Sequence, residues 1–254
     1  AQAAGTAVVT NNNESGPGSL RNALEVQEAE TVIIRQDVGD INISSTLEYS
    51  SELPLRIFGQ GQTISTSNNI TLLAITEGAD VRINNLNFAG PGGFSILNRG
   101  DLGQDPAGKG IFVDVRDDQT GTLNIRLFKV GVSGVANHGI HVSDCSLADD
   151  CGSGSGGGGE GSDASINLVC TQCTVDDVGN GKFDADGLRI DDRGAGSIDV
   201  ILRRSSFNNV GADGVELDEG NEGDVNVTAL RSDFSNNGGY CDPTVLGPFL
   251  PEPD

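Results

Sequence analysis

Ile198-Asp-Val-Ile-Leu202 is answered 27 residues later by Val225-Asn-Val-Thr-Ala229, and this repetition decides the fold. Both runs alternate apolar with mostly polar residues, the period of a half-buried strand. Leu123-Asn-Ile-Arg-Leu127 and Ile166-Asn-Leu-Val-Cys170 share the pattern, and twelve residues after the four starts stand Val135, Val178, Val210 and Asn237. A second strand follows at Gly139-Ile-His-Val142, Gly187-Leu-Arg-Ile190 and Gly214-Val-Glu-Leu217, with Gly110-Ile-Phe-Val113 one repeat earlier. Gly187 and Gly214 are again 27 positions apart.

The longer intervals carry insertions between strands, at 180–184 and at 144–162, the latter containing Gly152-Ser-Gly-Ser-Gly-Gly-Gly-Gly159. Solenoids accept insertions there. Short strands recurring near 27 residues, without helical periodicity, predict coils stacked about 4.8 Å apart. Phe207 should then lie on Phe234, Val132 share a slot with Val175, Ile190 sit beside Leu217, and Asn208 and Asn209 meet Ser235 and Asn236. Parallel crossovers are right-handed. The expected fold is therefore all-β: a right-handed, single-stranded parallel β-helix forming one domain over 1–254.

The first half is less regular but compatible. Val32–Ile34, Ile41–Ile43, Leu55–Ile57, Ile70–Leu72 and Val81–Ile83 alternate as strands, and Leu55 to Val81 spans 26 residues. Gly16-Pro-Gly-Ser-Leu-Arg-Asn-Ala-Leu24 reads as a turn and a short helix with Ser19 as N-cap, able to cover the first coil. Residues 1–30 thus supply a strand and cap, 31–237 the coils, and 238–254 a Pro-rich tail.

Composition agrees. With 37 Gly, 4% aromatics and neither Trp nor Met, the core must be built from Val, Ile, Leu, Ala and a few Phe. A formal charge of −22 repels phosphate backbones and anionic bilayers, so nucleic acid is not an expected partner, whereas divalent cations are welcome. The apolar runs are too short to span a bilayer, and no membrane insertion is expected. Ala1-Gln-Ala-Ala-Gly5 suits a chain trimmed by signal peptidase, so the protein is expected outside the cell or at its surface.

Cys145 and Cys151 bracket a polar loop and Cys170 and Cys173 form C-x-x-C, so two local disulfides would leave Cys241 over. Zinc would need more ligands than His138 and His141 offer. His141 alternates with Ile140 and Val142, which points it outward as a solvent-facing turn residue.

Ser15-Gly-Pro-Gly-Ser-Leu-Arg-Asn-Ala-Leu24, an Ile-rich strand and then Leu55-Arg-Ile-Phe-Gly-Gln-Gly61 resemble the opening of secreted bacterial parallel β-helix proteins of the pectate-lyase-like superfamily. The resemblance implies architecture and export. Its activities range from polysaccharide lyases, hydrolases and epimerases to adhesins and non-catalytic surface proteins.

The densest candidate site is acidic. Asp184, Asp186 and Asp191 on one coil meet Asp213, Glu216 and Asp218 on the next, with Asp186 over Asp213 and Asp191 over Asp218. Calcium would neutralise them, or Arg189, Arg193, Arg203 and Arg204 would pair with them. In lyases the resemblance implies a calcium-bridged acidic substrate and a basic residue removing the α-proton, a role open to Arg189 or Arg193. Scarce aromatics, with Tyr49 and Tyr240 the two tyrosines, argue against a deep sugar cleft. The favoured function is a non-catalytic extracellular structural or adhesive protein that assembles end to end into fibres, using itself or an extracellular polysaccharide as partner. Cys241, Val245, Leu246, Phe249 and Leu250 in the tail would serve that contact. A calcium-dependent polysaccharide lyase or epimerase, and a carbohydrate-binding module, are the alternatives.

Overall fold

The computed structural model describes residues 5–96, 108–144, 161–182, 184–220 and 222–239. Cys145, Cys151, Cys241, Val245, Leu246, Phe249 and Leu250 lie outside them, as does most of the Gly-rich insertion. Among the described residues the protein is all-β, with long parallel sheets of thirteen and six strands. That arrangement fits a parallel β-helix.

Three ladders of strands build it. The first runs through Thr6–Val9, Thr31–Ile34, Leu55–Phe58, Val81–Ala89, Thr120–Ser133, Asp163–Thr171, Ile198–Arg203 and Val225–Leu230, each strand paired in parallel with the next. The second comprises Leu47–Tyr49, Leu73–Ile75, Ile111–Asp114, Ile140–Ser143, Leu188–Asp192 and Val215–Glu219. A third, joined to the first by the long strands Val81–Ala89 and Thr120–Ser133, carries Thr174–Asp176, Ser206–Asn208 and Asp233–Ser235.

The register follows the 27-residue spacing. Leu123, Ile166, Ile198 and Val225 occupy one column, and Val132, Val175, Phe207 and Phe234 another. The Phe207 and Phe234 rings stack at 5.7 Å and 8°. Val, Ile and Leu side chains alternate inward along every ladder and merge into one buried cluster from Ala7 to Val210. Each such side chain removed from water contributes about 1.5–3 kcal/mol.

The recurring glycine has a steric cause. A Cβ on Gly187 would stand 2.4 Å from the carbonyl oxygen of Gly214, and one on Gly139 would stand 2.6 Å from that of Gly187. Neighbouring strand starts pack too closely there for any side chain. Corners between the first and third ladders use left-handed residues instead: Asn85, Lys129, Gln172, Arg204 and Arg231 all have φ between 51° and 56°. A second left-handed column, Asp177, Asn209 and Asn236, closes the third ladder. Asn side chains bridge neighbouring coils beside it, Asn237 Oδ1 accepting the Val210 N–H at 3.1 Å.

Two sequence expectations shift. Ile70–Leu72 is not a strand; the Ile70 N–H closes a tight turn on Asn68 O at 3.0 Å, and the strand begins at Leu73, aligned with Leu47 and Ile111. The expected short helix is a five-residue π-helical turn, Asn22–Val26, with Ala23 and Leu24 buried. Ser19 still accepts the Asn22 N–H through its hydroxyl at 3.1 Å, satisfying one donor that the turn's start leaves open.

Column stacking makes a graded prediction. Phe207 is fully buried and Phe234 is 44% exposed. Phe207→Ala should cost about 3–5 kcal/mol and Phe234→Ala less than half as much, read from the midpoint of chemical denaturation. Equal losses would contradict the stacked arrangement.

Candidate functional site

In the second ladder, Ile140–Ser143 and Leu188–Asp192 are buried on both faces. Along Leu188–Asp192 all five residues are buried, although only every other one points into the apolar core. The outward row reads Phe112, His141, Arg189 and Glu216, and the next outward row reads Asp114, Ser143, Asp191 and Asp218. Rows at strand spacing carry carboxylates beside cations, and cross-pairing between rows resolves the charge.

His141 is the hinge of this network. Its Nε2 lies 2.8 Å from Asp191 Oδ2 and its Nδ1 lies 2.8 Å from Lys109 Nζ. An ammonium only donates, so Nδ1 accepts and the ring proton sits on Nε2, donated to Asp191. The expectation of a solvent-facing His141 is corrected, since the residue is fully buried. Alternation gave its direction correctly. Stacking hides it, because Phe112 and Arg189 sit above and below and the Lys109 amine folds back over the Phe112 ring at 4.6 Å. His138, also buried, accepts the Asp186 N–H on Nδ1 at 2.8 Å and packs against His141 at 4.7 Å.

Both arginines are held in ion pairs. Arg189 donates from Nε to Asp191 at 3.0 Å and from Nη1 to Glu216 at 2.9 Å, with Asp186 Oδ2 at 3.5 Å. Arg193 pairs with Asp218 through Nη2 and donates from Nη1 to the Asp218 carbonyl at 3.1 Å. Burial pulls the Arg189 guanidinium down, but the charges of Asp191, Glu216 and Asp186 outweigh it and push its pKa above the ordinary value. A group held this firmly cationic is a poor proton acceptor.

Of the six predicted acidic ligands, three converge. Asp184, Asp186 and Glu216 each place an oxygen within 4.8 Å of the others. Asp191 and Asp218 serve the arginines, and Asp213 is exposed, meeting Asp186 through its backbone N–H at 2.9 Å. Arg203 and Arg204 lie on a different face, where they line a concavity with Thr171, Leu230 and Arg231. Burial, then the Asp186 charge, raises Glu216 to about 9; burial raises Asp186 to about 7 against the pull of Arg189. The pair holds a proton near neutrality. A hard divalent cation, which takes carboxylate oxygens, is the chemistry that would displace it.

Asp192 and Glu219, which the sequence also places in the acidic cluster, stand in a second column whose further member, Asp144, sequence reasoning missed. Asp144 accepts the Ser162 N–H at 2.7 Å, its hydroxyl at 3.0 Å and the Arg193 N–H at 3.1 Å. Asp192 Oδ2 and Asp114 Oδ1 are buried without a hydrogen-bond partner, and burial raises both residues to about 7. The signal for the first cluster was legible: the residue before each recurring glycine is Lys109, His138, Asp186 or Asp213. Of the predicted disulfides, Cys170–Cys173 is formed, with Cα atoms 5.8 Å apart. No helix among the described residues is long and apolar enough to cross a membrane. No protein-family model, curated protein or solved structure matches the chain. The site is therefore interpreted from its own chemistry.

That chemistry fixes a pH dependence. Asp114, Asp186 and Asp192 at about 7 and Glu216 at about 9 keep protons in the folded chain that the unfolded chain has released. Where the folded state binds more protons, stability falls as pH rises. In chelator, the melting temperature should be highest at acidic pH, where both states are protonated, and should fall as pH passes through about 7 and then about 9. A melting temperature that climbs across this window would contradict the assignment.

Proposed function

We propose that the chain is a right-handed parallel β-helix, covered at its N-terminal end by the Asn22–Val26 turn, that serves as a non-catalytic structural or adhesive protein outside the cell and associates end to end through its last coil. The observation carrying this reading is a core that no described residue covers at the last coil. Among the described residues, Val225–Leu230, Asp233–Ser235 and Val215–Glu219 each pair on one side alone, which leaves three strand edges without a described partner. Inward-facing Val215, Leu217, Val227, Ala229 and Phe234 line a 570 Å³ hollow at that end, with Val227 51% exposed. Unpaired edges beside exposed apolar surface template association with another chain. At the opposite end, buried Ala23 and Leu24 pack the turn against Leu47–Tyr49 and Thr6–Val9, which supports its role as a lid and leaves the last coil as the joining face.

Light scattering after size exclusion should give a multimer for the intact chain, and negative-stain microscopy should show elongated particles. The double variant Val227→Lys/Phe234→Glu should be monomeric. An intact chain that stays monomeric with and without calcium would remove the idea.

The Asp184, Asp186 and Glu216 trio favours a second reading, a calcium-dependent lyase or epimerase on an acidic polysaccharide. Calcium at those oxygens would bridge protein and uronate. Its proton acceptor would be a group other than Arg189 and Arg193, whose ion pairs keep them charged. Calcium should raise the melting temperature more at pH 9 than at pH 6, and Glu216→Gln should abolish the rise. Ultraviolet-detected release of unsaturated uronate from pectin or alginate, lost in Glu216→Gln, would overturn the structural reading in favour of catalysis.

A further inference from the structure

The outward face of the first ladder carries opposite charge along its two long edges. Its strands are entered through turns that hold carboxylates, with Glu52 ahead of Leu55–Phe58, Glu77 ahead of Val81–Ala89, Asp118 ahead of Thr120–Ser133 and Asp224 ahead of Val225–Leu230. Asp163 and Asp199 stand at the starts of the two strands between. The chain leaves the face at the left-handed corner, where Lys129, Arg204 and Arg231 are exposed. The edges match coil by coil: the three coils whose corner is cationic begin with Asp118, Asp199 and Asp224.

Neither edge is neutralised from within. No ion pair among the described residues engages the three corner cations, nor Arg56, Arg82, Arg126 or Arg203 on the face, whereas Arg21, Arg35, Arg189 and Arg193 all have carboxylate partners. On the acidic edge Arg116 serves Glu52 at 2.7 Å and Asp118 at 3.0 Å, and no ion pair among the described residues engages Asp163, Asp199 or Asp224. The corner cations also sit where a side chain is costly. A left-handed conformation is unfavourable for a residue other than glycine, and asparagine, which fills the same corner at Asn85, bears it more easily than lysine or arginine. Cations held at such a position without an internal partner fit a contact with another molecule.

Between the edges runs an apolar seam. Val8, Ile33, Phe58, Phe128 and Leu230 belong to one outward column that extends from the first strand of the ladder to the last. Val8, Ile33, Phe128 and Leu230 are 38% to 52% exposed, where an outward alternating position would ordinarily be polar. The column beside it carries Arg56, Arg82 and Arg126 and then Val169 and Ile201. At about 4.8 Å per strand and about 3.3 Å per residue, a face of this size covers roughly 700–800 Å², which is what each partner contributes to a specific interface.

We propose that this face joins two copies of the chain, packed face to face about a two-fold axis parallel to the stacking axis. Symmetry selects the arrangement. Rotation about that direction carries the basic edge of one copy onto the acidic edge of its partner at the same height, so Lys129, Arg204 and Arg231 meet the coils that begin with Asp118, Asp199 and Asp224. A two-fold running across the stack would lay each edge on its like. The same rotation sets the arginine column against the apolar column of the other copy, which brings Arg56 and Arg126 to aromatic rings at Phe58 and Phe128, a contact that Arg82 already makes within one copy at 5.7 Å from the Phe58 ring. Two chains of charge −22 tolerate the contact because screening limits each charge to about 10 Å at ordinary ionic strength. Both last coils then lie at one end of the pair, so the contact is compatible with end-to-end association and independent of it.

Sedimentation equilibrium of the full chain carrying Val227→Lys/Phe234→Glu tests the face with the last coil blocked. Monomeric at the dilution of size exclusion, this parent should form dimers at about 100 μM in roughly 0.1 M salt, a weak association suited to exposed pairs that contribute a few-fold each. Pairing should weaken at about 0.01 M salt, where screening no longer hides the whole charge of the partner. Added to that parent, Lys129→Asp/Arg204→Asp/Arg231→Asp should abolish the dimer, and so should Asp118→Lys/Asp199→Lys/Asp224→Lys. An equimolar mixture of the two variants should restore it, because each reversed edge then meets its complement, and restoration shows that both variants are folded. Absence of dimers in the parent, dimers retained in either variant, a mixture that stays monomeric, or growth beyond the dimer that the corner variant prevents would each overturn the proposal.

Discussion

In-register parallel stacking is the constraint on which everything else in this protein depends. When a strand lies about 4.8 Å from its equivalent one coil away, every side chain meets the residue occupying its own position in the next repeat. For Leu123, Ile166 and Ile198 this is wholly favourable, because like packs on like and the column stays dry. For Gly139, Gly187 and Gly214 it removes all freedom, since the next carbonyl occupies the space of a Cβ. For charged residues it is a liability, and the second ladder shows how that liability is met.

Asp191 over Asp218, and Asp144 beside Asp192, are repulsive contacts that the backbone register imposes. Relief comes sideways. Arg189 reaches from its own row to Asp191, Asp186 and Glu216, and Arg193 reaches to Asp218. At Asp192, whose Oδ2 has no hydrogen-bond partner, burial and the charges of Asp144 and Glu219 outweigh the pull of Arg193 and favour the neutral acid. Removing one member of such a buried set leaves an uncompensated charge, which costs far more than the pair contributes. The network is therefore tightly specified without being a large source of stability, and it locks the register of the last described coils.

The sequence reveals the fold through its period and hides much of the site through its geometry. Spacing alone aligns Phe207 with Phe234 and Asp186 with Asp213, because a column is a property of numbering. Alternation also assigns His141 to the outward side. Neither tells that the outward side is covered, because Lys109 reaches His141 from the adjacent column and cross-column contacts leave no periodic trace. Ile70 misleads for a local reason, a turn on Asn68 that alternation does not register. The left-handed corner is the least legible element: Asn85, Lys129, Gln172, Arg204 and Arg231 share a backbone conformation but no side-chain chemistry.

Net charge illustrates the same division between what is summed and what is placed. A total of −22 argues against polyanionic partners for the molecule as a whole, and that inference holds for any partner broad enough to sense the whole surface. Screening limits such sensing to about 10 Å at ordinary ionic strength, a distance spanning only two or three strands. A partner that docks on one ladder therefore experiences the local sign. Stacking makes that local sign persistent, because a position filled by Arg56, Arg82 and Arg126 in successive coils becomes a continuous line of charge. The repetition that forces carboxylates together on the second ladder thus gathers cations on the first, and a strongly acidic chain can present a basic track without altering its composition.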